Sequence, residues 1–197
     1  MKSITDFTSR VFTISSMASG AVFNLSDSSL LKIHKGDITE WYVDARTDAI
    51  VNSADNRMIG GGGGVDGAIH RVAGRHLRTM CCGVPQVSPG VRCPTGEARI
   101  TVGFNLYASH VIHTVGPVYE SDVNLKNRSP VLTSKQNSLI VAKENNIKYI
   151  AFPAISCGNS RYCCHHNQKL KSYPKDEAAM IAISVKVLIS TPIAQLI

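Results

Sequence analysis

From Leu30 onward, short apolar runs alternate with stretches of helical spacing. Asp48-Ala-Ile-Val-Asn52, His110-Val-Ile-His-Thr-Val115 and Tyr149-Ile-Ala-Phe-Pro-Ala-Ile155 are brief and rich in Val and Ile. Strands buried on both faces read this way, because neither side can carry polar groups into the core. Between and after these runs, residues 65–80, 134–145 and 174–189 read as helices. In the first of them Val65, Ile69, Val72 and Ala73 fall at i, i+4, i+7 and i+8, which is one apolar face. Strands separated by helix-length segments predict βαβ units, hence an α/β domain whose mostly parallel sheet is covered on both sides. Ligands of such sheets bind at the carboxyl ends of the strands, where loops lead into helix N-termini.

A chain of 197 residues fits one domain. Residues 1–29, rich in serine and threonine, read either as a disordered leader or as a transit peptide, and 30–190 as the domain proper. The most apolar stretch, 178–197, carries Lys186 near its middle and Pro192 besides, so a buried helix and a short tail (191–197) are expected rather than a membrane span. No membrane partner is expected.

The formal charge of +7 suggests a polyanion partner at first sight. Residues 159–172 hold Arg161, Lys169 and Lys171 and no acid, so the rest of the chain is only modestly basic. With one Trp and 6% aromatic residues there is no interleaved stacking platform, which argues against nucleic acid. The six cysteines, in two adjacent pairs and two singles, are not the framework of a small disulfide-stapled domain. An intracellular monomer is expected, in cytoplasm or nucleus, with organelle import through residues 1–17 as the alternative.

The loudest chemical signal is the run of five glycines at 60–64, followed by Val65-Asp-Gly-Ala-Ile-His70. Residues without Cβ let the backbone approach a ligand, and the helix that follows aims free N–H groups at it. A Walker loop needs Gly-Lys-Ser/Thr at its end, and Val65-Asp66 stands there instead. The dinucleotide fingerprint is met only by glycine abundance, and no Asp or Glu follows Asp66 until Glu97. An anion cradle is left.

Asp66 and His70 are four residues apart, so they share a helix face beside those glycines. Together they could position a water or a ribose hydroxyl. Equally, they could be an acid favoured by the helix dipole and a histidine on a polar flank. In Gly36-Asp-Ile-Thr-Glu40, Asp37 and Glu40 resemble a capping box, while Asp37 could also accept a bond from an amino group on a base.

Six segments in order resemble the motif set of MacroD-type macrodomains, closest to plant members. They are Gly36-Asp-Ile-Thr39, Ala49-Ile-Val-Asn52, Gly61-Gly-Gly-Gly-Val-Asp-Gly-Ala-Ile-His70, Cys93-Pro-Thr-Gly-Glu-Ala98, His110-Val-Ile-His-Thr-Val-Gly-Pro117 and Phe152-Pro-Ala-Ile-Ser-Cys-Gly158. The resemblance implies a three-layer α/β/α domain that binds ADP-ribose and hydrolyses mono-ADP-ribosyl esters on acidic side chains, or O-acetyl-ADP-ribose, without cofactor or metal. A reader without catalysis, or an inactive splice or truncation product, is the alternative. By matching position, Asn52, Asp66 and His70 are the catalytic candidates. Asp37 and Ile38 are placed at the adenine. Gly61, Gly62, Gly63, Gly64 and Val65 are placed around the distal ribose and phosphates, with Ser156, Cys157, Gly158 and Tyr173 from the second phosphate loop.

The chain departs from that pattern in four places. Asp55 stands where a neutral amide orients the distal ribose, and Asn56 replaces it if the loop slips by one. The glycine run has five members where four are usual. Residues 159–172 form an insert where about three residues belong. Its Cys163, Cys164, His165 and His166 are too closely spaced to close a zinc tetrahedron. Lastly, the resemblance ends near Ser190, before a further strand and helix.

Overall fold

The computed structural model describes residues 21–26, 29–61, 63–116, 128–153 and 181–186. The strands are β1 (Ala21–Ser26), β2 (Ser29–Lys35), β3 (Asp48–Ser53), β4 (Ala98–Val102), β5 (His110–Thr114), β6 (Tyr149–Phe152) and β7 (Ile181–Lys186). They form one sheet in the order β1-β2-β7-β6-β3-β5-β4. Its helices are α1 (Gly64–Ala73), α2 (Arg75–Gly83) and α3 (Arg128–Glu144), with a single 3-10 turn at Ile38–Glu40.

The α/β expectation holds, with one correction to the sheet. β6, β3 and β5 are parallel, while the flanking pairings β1 with β2, β2 with β7, β7 with β6 and β5 with β4 are antiparallel. The sheet is therefore mixed, with two parallel pairings at its centre and four antiparallel pairings around them, rather than mostly parallel. The three apolar runs of the sequence contain the three parallel strands, which pack against α1 and α2 on one face and α3 on the other.

Side chains of a strand point alternately to its two faces, and that alternation divides the interior into two cores. Ile50, Val111 and Ala151 pack with Val65, Ile69 and Ala73 of α1 and Leu77 and Cys81 of α2. Ala49, Val51, Ile112, Ile150 and Phe152 pack with Leu139 and Ala142 of α3 and with Ile147. Helix, sheet and helix make three layers. Each of the large aliphatic side chains so buried contributes about 1.5–3 kcal/mol of hydrophobic stabilisation. The lead-in to β3 is closed by a buried carboxylate: Asp48 accepts N–H bonds from Val43 at 2.8 Å, Asp44 at 3.0 Å and Ala45 at 2.7 Å.

Three local expectations change. The helix expected over 65–80 is two helices, because Gly74 takes φ +81° between Ala73 and Arg75, a conformation that side-chain-bearing residues resist. Within the helix expected over 174–189, the described residues Ile181–Lys186 form the strand β7 instead. There Ile181, Ile183 and Val185 alternate with Ala182, Ser184 and Lys186, the period of a strand, and they find edges to pair with on β2 and β6. Ala21–Ser26, inside the segment expected to be a leader, is a strand paired with β2. Residues 1–20, 159–172 and 191–197 lie outside the described residues. Among those described, no helix is long and apolar enough to cross a membrane.

Ile50 is fully buried at the centre of the parallel strands, whereas Val102 at the sheet's edge is 41% exposed. Ile50→Ala is expected to lower the free energy of unfolding by about 2–5 kcal/mol, and Val102→Ala by about 0.5 kcal/mol or less. Denaturant titration with both variants measures the contrast.

Candidate active site

The site lies at the carboxyl end of β3, as the topology of a parallel sheet requires. Asn52, the penultimate residue of β3, is wholly buried although polar. Its Nδ2 donates to Asp66 Oδ1 at 2.8 Å and lies 3.1 Å from His113 Nδ1. A carboxylate only accepts, so the amide must present its nitrogen to Asp66, and the second N–H then reaches His113. That makes Nδ1 of His113 the acceptor and puts the ring proton on Nε2, which faces Thr101 Oγ1 at 2.9 Å. Burial pushes the His113 pKa down to about 3, with the neighbouring His70 adding to the effect. The ring is therefore neutral at physiological pH and holds one tautomer.

Asn52 and His113 meet because β3 and β5 are parallel with those two residues as direct partners. Asp66 enters from the first turn of α1, where a carboxylate is favoured by the helix dipole. It is buried to 8% exposure, and its Oδ1 is 3.6 Å from Nε2 of His70, one helical turn on. That separation is beyond a hydrogen bond. Two atoms of the cluster, Asn52 Oδ1 and His70 Nε2, are buried with no hydrogen-bond partner among the described residues. Each such atom costs about 1–3 kcal/mol when left unmet, and buried orphans of this kind call for an explanation in function.

The glycine run does two different things. At Gly60 (φ +70°) space itself is the constraint: a Cβ there would lie 2.6 Å from the His70 ring, so the backbone packs flat against the imidazole. At Gly61, Gly63 and Gly64 a Cβ would meet nothing, and the positive φ values of 92°, 75° and 57° are what favour glycine. Gly62 lies outside the described residues. Gly63 caps α1 without a side-chain bond, leaving the first-turn N–H groups facing outward beside Asp66.

The remaining sequence candidates divide. Val65 and Ile38 belong to the core with Ile50 and Ile69. Asp37 is an exposed cap: its Oδ1 accepts from Thr39 N and from Thr39 Oγ1, both at 2.8 Å, which bears out the capping half of its reading. Asp55 turns into its own loop, where Oδ1 accepts from Arg57 N at 3.0 Å and Met58 N at 2.8 Å and Oδ2 sits 3.6 Å from the Arg57 guanidinium. Asn56 is exposed, and its carbonyl anchors Arg92 N and Cys93 N at 2.8 and 3.1 Å. Ser156, Cys157, Gly158 and Tyr173 lie outside the described residues.

Sequence reasoning missed His113 and Cys81. His70, Cys81 and His113 bring ligand-type atoms within 4.8 Å of one another. Cys81 Sγ lies 3.7 Å from His113 Nε2. Burial, reinforced by the Asp66 charge, pushes the Cys81 thiol up to about 12, so the thiolate that a soft metal needs is costly to form. Both nitrogens of His113 already face partners, so this ring is better explained as the hydrogen-bonded support behind Asn52 than as a metal ligand. The signal that could have found His113 is a polar residue inside an apolar strand.

A histidine whose pKa is lowered in the folded state binds more protons when unfolded. Its contribution to stability is complete above about pH 6.5 and is lost as pH falls toward 3. The stability of the native chain is therefore expected to fall, relative to His113→Gln, by up to ~1 kcal/mol per pH unit below 6.5. Paired melting curves at pH 7, 6 and 5 check this. Parallel pH dependences in the two proteins would contradict it.

Comparison with known proteins agrees with this geometry. The macro domain family model matches residues 51–182. A macro domain-containing protein of Xanthomonas axonopodis pv. citri is 46% identical over 154 residues, covering 78% of this chain and 76% of that protein. The human ADP-ribose glycohydrolase MACROD2 is 39% identical over 154 residues, 78% of this chain but 31% of its own length. Among solved structures, a variant of the Oceanobacillus iheyensis macrodomain with ADPR superposes with a TM-score of 0.65 at 36% identity, covering 75% of this chain and 76% of that one. With its parallel-centred sheet between two helical layers and its glycine loop leading into α1, this chain belongs to the macro domain family.

Proposed function

We propose that the protein binds ADP-ribose and hydrolyses mono-ADP-ribosyl esters on acidic side chains, or O-acetyl-ADP-ribose. The observation that carries this reading is the meeting of Asn52, Asp66 and His70 at the end of β3, beside the glycine loop. The orphan acceptor Asn52 Oδ1 suits a hydroxyl donor such as that of a ribose. In the reaction, water adds its oxygen to the ester linkage. The products are free ADP-ribose, which keeps the hydroxyl, and the carboxylate, with one proton released to solvent at neutral pH. Asp66, fixed by the Asn52 amide, orients that water or the ribose hydroxyl beside the reacting carbon. The outward N–H groups at the start of α1 offset the developing negative charge. No cofactor takes part. The same reading places the protein in an intracellular compartment, acting as a monomer.

A reader without catalysis is the second reading, favoured by the carboxylate of Asp55 where the family pattern has a neutral amide. The engagement of Asp55 with Arg57 and Met58 N–H weakens that objection, since the charge is partly compensated inside its own loop.

Asp66→Ala is expected to lower turnover by at least about a hundredfold while changing ADP-ribose affinity only a few-fold, as for a group whose interaction strengthens in the transition state. Asp55→Asn is expected to raise turnover modestly. Release of ADP-ribose from an auto-modified carboxylate substrate, alongside calorimetric titration with ADP-ribose, measures both. Binding without turnover in the native chain and in Asp55→Asn alike would leave the reader. No binding in either would remove both readings.

A further inference from the structure

Beside the Asn52–Asp66 pair, on the outer side of His70, lies an open cleft of about 440 Å³ between the glycine loop and the helices α1 and α2. Gly60 and Gly61 form one wall, and the other carries His70, Arg71, Arg75 and Arg78. The three arginines are exposed, and none forms an ion pair among the described residues. Among the described residues, no carboxylate lines the cleft. Nor does the chain supply one nearby in sequence, since no Asp or Glu occurs between Asp66 and Glu97, and Asp66 itself is buried against Asn52.

Arg71 stands in the last turn of α1, while Arg75 and Arg78, one turn apart, open α2 beyond Gly74, so the three guanidinium groups reach the cleft from two helices that meet at that glycine. Alternate side chains of an extended peptide point to the same side about every 7 Å, so one acidic segment lying along the cleft offers more than one carboxylate to these arginines. Guanidinium forks pair with carboxylates in two-pronged geometry, which suits such a segment. Apart from the His70 imidazole the described residues of the lining include no aromatic ring, so a nucleic-acid strand would find charge there without a base-stacking surface among them.

We infer that the Arg71–Arg75–Arg78 cleft holds the acidic polypeptide segment flanking the ADP-ribosylated carboxylate of the target protein. This rests on the function proposed above, because Gly60 and His70 border both the cleft and the catalytic cluster. A side chain joined to the distal ribose would enter the cleft by that shared border. The arginines thereby select targets by charge while the reacting atoms stay with Asn52 and Asp66.

The test uses the full chain and a triple variant, Arg71→Gln, Arg75→Gln and Arg78→Gln, whose exposed positions leave the core untouched. Substrates are two peptides mono-ADP-ribosylated on one glutamate, with acidic or neutral flanks. The native chain is expected to show a KM about tenfold lower for the acidic peptide, the product of three modest exposed ion pairs, with the advantage shrinking as salt rises from 50 to 300 mM. In the triple variant the advantage disappears, while kcat and the affinity for free ADP-ribose stay within about twofold. Equal KM for the two peptides in the native chain overturns the inference. So does an equal loss of free ADP-ribose binding in the variant, which assigns the arginines to the nucleotide's own phosphates. Competition by a short oligonucleotide at lower concentration than the acidic peptide also overturns it, in favour of nucleic acid. Anisotropy of a labelled, unmodified acidic peptide separates the two levels. If that peptide binds the native chain and not the variant while ADP-ribose binds neither, the cleft stands and the proposed function falls.

Discussion

Asn52 has two amide protons, and both are committed: one to the carboxylate of Asp66 and one to the imidazole of His113. A fully buried amide cannot fall back on water, so these bonds fix the side chain and, through it, three elements of the fold. β3 supplies the amide, β5 the imidazole and α1 the carboxylate. The pairing survives only in one register, because Asn52 and His113 are direct partners across β3 and β5. A slip of one residue would turn Asn52 toward α3 and bring Val51 under α1, exchanging the two cores.

The hydrophobic layers serve the same constraint. Ile50 and Val111 precede Asn52 and His113 by two residues on the same face and are held under α1 and α2 by Ile69, Leu77 and Cys81. Packing on that face therefore determines how far α1 can slide, and with it the 2.8 Å separation of Asn52 and Asp66. Gly60 adds a second restraint by lying against the His70 ring, and Gly74 ends α1 and lets the chain turn into α2. Preorganisation of the site is thus distributed through the interior rather than confined to a loop.

Much of this was legible in the sequence, for a physical reason. β3, β5 and β6 are covered on both sides, so their apolar runs stand out, and Asp66 and His70 are close in the chain, so helical spacing alone brings them together. β7 was hidden because its strand-period run is only six residues long and follows the helix-favouring Ala178-Ala179-Met180, and the pairing with β2 and β6 decides its state. His113 was hidden because its meaning depends on a partner 61 residues away. The Asp55 turn was local, and an Asx-type cap two and three residues back from Arg57 and Met58 is a recognisable pattern, but the acid drew attention as a charge rather than as a hydrogen-bond acceptor.

The central claim is that a neutral His113 with its proton on Nε2 locks the Asn52 amide toward Asp66. Long-range proton–nitrogen correlation of the histidine rings in the isotopically labelled protein reads the protonation of each nitrogen directly. The account predicts that His113 shows a bare Nδ1 and a protonated Nε2, unchanged from pH 7.5 to 5. An imidazolium signal in that range, or a proton on Nδ1, would contradict it.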